Sequence, residues 1–167
     1  AVWTEDLKVE HLRVEDMKIL PLLFESKYSR SRMSNCFKYV YSDLEDGKSV
    51  VFSGTPCQIA GLKNYLKMKN ANIKKLYLID VICHGTPSPV MLEEWIHSTE
   101  KNYKNKIRKI SFRDKEIGWK GYPTKIELEN NKIVRHTYKT QEYIRLFFSH
   151  LILAPSCYEC PFASMNR

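Results

Sequence analysis

Two apolar runs, Ser49-Val50-Val51-Phe52 and Leu76-Tyr77-Leu78-Ile79-Asp80-Val81-Ile82, flank a stretch in which Ile59, Leu62, Tyr65 and Leu66 recur at helical spacing. No other pattern in the chain restricts the fold as strongly. The first run reads as a buried strand, the second as an apolar strand, and the stretch between them as a helix with one apolar face. A strand–helix–strand passage of this kind closes with parallel strands and a right-handed crossover. Parallel pairing sends the loops after both strands to one edge of the sheet, where α/β sheets build their sites. The first loop is Ser53-Gly54-Thr55-Pro56-Cys57-Gln58 and the second is Cys83-His84-Gly85. Two thiols, Cys57 and Cys83, are therefore expected at one crevice.

The rest of the chain adds to this core. Ala1-Val2-Trp3, a turn at Thr4-Glu5-Asp6 and alternation over residues 7–12 predict a small hairpin. A short helical piece over 15–19 should end near Pro21. Ser34 or Asn35 can cap a helix carrying Phe37, Val40, Tyr41 and Leu44, with Gly47 at its end. Pro87-Ser88-Pro89 opens another, with Met91, Leu92, Trp95, Ile96 and Tyr103 inward. Residues 107–113 alternate with Ile110 and Phe112 on one face; Ile126 and Leu128 alternate with Lys125 and Glu127; Asn130-Asn131 turns into 133–138. A last helix from about Thr140 pairs Tyr143, Phe147 and Leu151 with Ile144, Phe148 and Ile152, and Pro155 should stop it. The fold class is α/β: a mixed sheet with a parallel strand–helix–strand core, an antiparallel portion and flanking helices, in a single domain over 1–167.

With 167 residues, 43% hydrophobic and 28% charged, the composition is that of a folded chain. No apolar run reaches the length of a membrane span, since residues 143–154 are cut by Arg145, Ser149 and His150. The acidic start lacks the apolar core of a signal peptide, so a cytoplasmic setting with few disulfides is expected. The chain does not begin with Met, which reads as a fragment of a longer one. A net charge of +8 comes from lysines spread between Lys8 and Lys139 rather than from an arginine-rich tract. That distribution favours anionic cofactors or acidic partners over nucleic acid.

Five cysteines are present: Cys36, Cys57, Cys83, Cys157 and Cys160. Cys157-Tyr158-Glu159-Cys160 has the spacing that lets both thiols bind one metal centre, and Pro161 follows as it often does at iron–sulfur ligands. Added to Cys57 and Cys83, the pair makes four thiolates, the number for a [4Fe–4S] cluster or a tetrahedral zinc; spacing does not choose between them. The alternative is that Cys57 and Cys83 are small buried residues and only the close pair is special. Cys36, inside the Phe37–Val40–Leu44 stripe, reads as core.

Weaker signals surround these. Gly54 and Thr55 head a helix whose first N–H groups can take a phosphate or a thiolate-bound cluster, or simply form a turn. His84 can reach a flavin or donate to a cluster sulfur, or be structural. Arg113 and Asp114 bind a pyrophosphate or pair with each other. Trp119 and Tyr122, beside Gly118 and Gly121, form an aromatic loop able to cover a flat cofactor, or pack at the core's rim. Lys27, Lys63 or Arg113 near a cluster would raise its potential.

Taken in order, Ser26-Lys27-Tyr28, the passage from Val51 through Gly54-Thr55-Pro56-Cys57-Gln58 to Leu62, and Asp80-Val81-Ile82-Cys83-His84-Gly85 form a specific series. Pro87-Ser88-Pro89, Ser111-Phe112-Arg113-Asp114-Lys115 with Gly118-Trp119, and Pro155-Ser156-Cys157-Tyr158-Glu159-Cys160 complete it. The chain resembles, over nearly its whole length, the C-terminal domain of the beta subunit of deazaflavin-dependent (coenzyme F-420) hydrogenases and dehydrogenases. The resemblance implies an iron–sulfur flavoprotein oxidoreductase module that moves electrons between a [4Fe-4S] cluster, FAD and the deazaflavin coenzyme or another acceptor. It implies Cys57, Cys83, Cys157 and Cys160 as cluster ligands. Lys27, Gly54, Thr55, His84 and Arg113 are the candidates for cofactor binding; no catalytic residue is assigned. A ferredoxin or ferredoxin-like domain is the implied electron partner, with hydrogenase or dehydrogenase subunits beside it. The family's N-terminal ferredoxin-like domain and its acidic, glycine-containing tail have no counterpart here. Two other readings stand: a zinc-stabilised module binding nucleic acid or a protein, and a polysaccharide-locus member without retained catalysis.

Overall fold

The computed structural model describes residues 1–118 and 120–163. Its first elements are β1 (Val2–Trp3), β2 (Val9–Glu10), a 3-10 helix (Met17–Leu23), α1 (Cys36–Glu45), β3 (Val50–Gly54), α2 (Pro56–Met68) and β4 (Leu76–Asp80). There follow α3 (Pro89–Tyr103), β5 (Ile107–Phe112), a 3-10 turn (Lys115–Ile117), β6 (Thr124–Leu128), β7 (Ile133–His136), α4 (Glu142–Phe148) and α5 (Pro155–Tyr158). The fold is mixed α/β. The chain divides into two compact units: unit 1 takes residues 1–10, 14–32 and 85–158, and unit 2 takes 11–13, 33–84 and 159–167. Among the described residues no helix is long and apolar enough to cross a membrane.

Unit 2 holds the strand–helix–strand passage. β3 and β4 pair in parallel, from Val50 opposite Leu76 to Gly54 opposite Asp80. Phe52 is buried with Cys36, Val40, Leu44, Ile59, Leu62 and Leu66, the apolar faces of α1 and α2. The alternating side chains have no such cover: Val51 is 65% and Tyr77 59% exposed. The expectation of a fully buried first strand is corrected here. Apolar residues stand on both faces of β3, but helices pack on only one of them, and hydrophobicity alone does not report which face is covered.

Unit 1 is built on the antiparallel sheet β5-β6-β7. Ile110, Ile126 and Val134 lie side by side across it, and the register shifts once between Ile107 and Lys109. Ile110, Ile126, Leu128 and Phe112 are buried with Leu92 and Ile96 of α3 and Tyr143, Ile144 and Phe147 of α4. Burying side chains of this size stabilises by about 1.5–3 kcal/mol each. β1 and β2 form the expected hairpin.

Two prolines behave differently from expectation. Pro21 sits inside the 3-10 helix rather than ending a helical piece before it. One turn is closed by Ile19 N–H to Asp16 O at 3.2 Å and the last by Phe24 N–H to Pro21 O at 3.1 Å, so Pro21 serves as the acceptor that opens the last turn, where its missing N–H costs least. At the other end, α4 stops at Phe148 rather than at Pro155. His150 adopts φ +60° and its N–H bonds to Phe147 O at 2.9 Å, leaving Leu151 70% exposed. Pro155 instead opens α5, in the first-turn position that proline favours.

Candidate functional site

Parallel pairing brings the first two cysteine loops out of one end of the unit 2 sheet. Gly54 closes β3, and its carbonyl accepts from Val81 N–H at 3.1 Å just beyond β4. Thr55 caps α2 with Pro56 at the first helical position, so Cys57 sits in the first turn and is exposed. The Thr55 hydroxyl lies 3.2 Å from the Cys57 sulfur. The Thr55 N–H is taken by Gln58 Oε1 at 3.0 Å, the return half of a capping box. Packing explains the glycine before it: a Cβ on Gly54 would stand 3.0 Å from the Phe52 ring and 3.1 Å from Gln58 Oε1. Cys83 is partly exposed, His84 is exposed, and Cys160 of the same unit is partly exposed. Cys36 is buried in the core as expected, and burial pushes its thiol up. All five cysteines are thiols rather than disulfides.

Sequence reasoning missed His11. Its ring stacks on Phe52 with centroids 5.4 Å apart, and Nε2 lies 3.1 Å from Ser53 O, one residue before Gly54. Burial holds the imidazole below its ordinary value. Nothing in the chain near position 11 signals this, because the contact depends on a segment forty residues away.

In unit 1 an isolated antiparallel bridge joins Ser26 to Phe112. It brings the Ser26-Lys27-Tyr28 and Phe112-Arg113-Asp114 motifs together. The Tyr28 ring packs against Phe112 and Phe147 with centroids at 5.4 and 5.3 Å. The Arg113 guanidinium lies 5.8 Å from the Tyr28 ring centre and 5.1 Å from that of Tyr122. Arg113 and Asp114 do not pair with each other: Asp114 accepts from Arg135 Nε at 2.9 Å, across the sheet. Glu116 is held by Arg135 and by Lys125. Trp119, expected in the same loop, lies outside the described residues.

Lys27 lines a cavity of about 270 Å³ with Trp3, Phe24, Arg108 and Lys109. Its ammonium donates to Phe24 O and Glu25 O at 2.5 and 3.3 Å, and burial pushes it below the usual lysine range. Cys157, on α5 of this unit, has the Thr86 hydroxyl 3.9 Å from its sulfur. The segments carrying them are tied by Ala154 N–H to Thr86 O at 2.9 Å and by the Pro87–Leu153 bridge. Gly85 has φ +119°, and a Cβ there would meet Leu153 Cδ1 at 2.7 Å, so the glycine after Cys83-His84 is required by backbone and packing alike. Among the described residues of either unit by itself, no three His, Cys, Asp or Glu side chains stand as a ready metal site.

Neither the curated proteins nor the solved structures include a match to this chain. One family model does match, and it begins after Ser26-Lys27-Tyr28, so that motif lies outside the matched span. From residue 47 to residue 167, a stretch holding Cys57, Cys83, His84, Arg113, Cys157 and Cys160, the chain matches the model for the C terminus of the coenzyme F420 hydrogenase/dehydrogenase beta subunit, and it belongs to that family.

Proposed function

We propose that the chain is the electron-transferring module of an oxidoreductase of this family, with Cys57, Cys83, Cys157 and Cys160 holding a [4Fe–4S] cluster and FAD bound beside it. The observation that carries the reading is the family match, whose span contains all four cysteines. The donor set suits the group: four thiols, soft ligands of the kind iron–sulfur clusters take. When bound, a cluster supplies one-electron storage and a flavin couples it to hydride exchange.

The residues of this chain have the supporting roles. Thr55 is placed to donate to the Cys57 sulfur, and such a bond raises a cluster's potential. The first turn of α2 adds the positive end of a helix dipole at the same thiolate. Lysines 27 and 63, with Arg113, supply cations for an anionic cofactor. His84, exposed just beyond the sheet, would in this reading donate to a flavin or a sulfur. Gly54 and Thr55 serve the site by fixing the start of α2. The electron partner in this reading is a ferredoxin or ferredoxin-like domain, with hydrogenase or dehydrogenase subunits. The deazaflavin coenzyme or another acceptor exchanges the electrons in this reading, in the cytoplasm, where thiolates stay reduced.

Anaerobic purification and reconstitution, followed by iron, sulfide and flavin analysis, tests this. The expected product is brown, with about four irons and four acid-labile sulfides per chain and FAD. A colourless protein carrying one zinc would favour the zinc-stabilised binding module instead. A chain that takes neither iron nor flavin sinks the proposal.

A further inference from the structure

Arg113 is a cation that its surroundings leave unanswered. No carboxylate pairs with it among the described residues, because Asp114 is turned to Arg135 and Glu116 is shared between Arg135 and Lys125. Its Nε–H is buried with no acceptor, and so is the hydroxyl of Tyr28, whose ring it lies over. Buried donors of this kind are rarely left unmade in a finished site.

The backbone is committed to this arrangement. Arg113 and Tyr122, the second ring of the clamp, both adopt left-handed conformations, with φ +58° and +47°. Gly118 and Gly121, at φ +97° and +81°, lie between them in sequence. These turns fix where the chain enters and leaves the loop. Tyr122 is itself fixed by Phe148, with ring centres 4.7 Å apart. The guanidinium lies within cation–π distance of both rings. A planar fork of donors matches a phosphate bidentately, which a point-charge ammonium does not.

We propose that Arg113, clamped by Tyr28 and Tyr122, is a phosphate site, and that in the working protein it takes the pyrophosphate of the flavin dinucleotide. The second half rests on the flavin reading above; the first does not.

The test uses the full chain, isotopically labelled, with arginine Nε–H resonances assigned through bonds. Inorganic pyrophosphate, inorganic phosphate and FAD are titrated separately. Pyrophosphate should move the Arg113 resonance, and Arg113→Lys, which keeps the charge but loses the fork and the stack, should weaken pyrophosphate binding about tenfold or more. The shift is read on the native chain, so a variant that fails to fold does not decide the matter. If FAD moves the same resonance, both halves hold. If pyrophosphate or inorganic phosphate moves it while FAD does not bind, the phosphate site stands and the flavin reading falls. If FAD binds the native chain without moving that resonance, the flavin reading survives and this inference is overturned. It is also overturned if none of the three moves it.

Discussion

Asp43 accepts from Arg13 through both carboxylate oxygens, at 2.8 and 2.7 Å, and pairs with Lys48 at 3.0 Å, all within unit 2. The Arg13 hydrogen bonds, helped by Lys48, hold its carboxyl down at about 2 against an ordinary 3.8. The folded chain thus keeps this carboxylate ionised where the unfolded chain would protonate it. The stabilisation is fully present above the ordinary value and is lost as pH falls through about 2. Asp43→Asn is expected to cost about 1–2 kcal/mol at neutral pH, after discounting for solvent at Arg13. It should also flatten the loss of stability on acidification. Urea titrations at pH 7 and pH 3 on both proteins check this, and an unchanged acid dependence in the variant would refute it. A second residue, Gly85, makes a steric prediction. Gly85→Ala places a methyl 2.7 Å from Leu153 on a backbone at φ +119°. A loss of about 1–3 kcal/mol is expected. Leu153→Ala in the same background should recover the part due to the clash, leaving the backbone strain, when the four proteins are compared as a cycle.

β6 is the central strand of its sheet, and Ile126 on it has no exposed surface. Ile126→Ala leaves a cavity that neighbours on both sides cannot collapse into, and should cost about 2–5 kcal/mol. Ile133→Ala on the edge strand β7, where the side chain is half exposed, should cost far less, within about 0.5–1 kcal/mol. Equal losses in thermal unfolding would mean that β6 is not the sheet's centre. The same contrast explains which elements could be read in advance. α2 and β6 each present one apolar face to one core, so period and burial coincide, and the parallel loops carrying Cys57 and Cys83 follow from the reading of α2. β3 could not be read correctly, because Val51 is as apolar as Phe52 and only packing distinguishes them. The end of α4 was hidden in the same way: Leu151 and Ile152 continue the apolar pattern after the backbone has turned at His150. The pairing of Asp114 was out of reach for another reason. Its adjacent arginine and the arginine two strands away are chemically alike, and only the registers of β5 with β6 and of β6 with β7 together bring Arg135 across to it.

At the scale of the whole chain, a charge of +8 and five thiols need a common account. The proposed cofactors would provide one: a cluster on four thiolates and a flavin pyrophosphate would together offset several positive charges without invoking nucleic acid. The account makes the cysteines unequal, and that inequality is measurable. Serine at position 57, 83, 157 or 160 replaces a soft thiolate by a hard, protonated hydroxyl, a poor iron ligand at neutral pH. Each such variant, reconstituted anaerobically, is expected to lose most of its iron, its acid-labile sulfide and its broad visible absorption. Cys36 is different, since it sits in the apolar core of α1 with a thiol that burial keeps protonated. Cys36→Ala should therefore keep the full iron content and spectrum while losing some stability, about 1 kcal/mol for a small buried side chain. Stability and iron content must be read on the same samples, because an unfolded variant loses both. A serine variant at any of the four positions that stays folded and keeps its full complement of iron removes that residue from the ligand set. If Cys36→Ala stays folded and bleaches as fully as the others, division into four ligands and one core residue is wrong, and the cluster must draw on a different set of thiols.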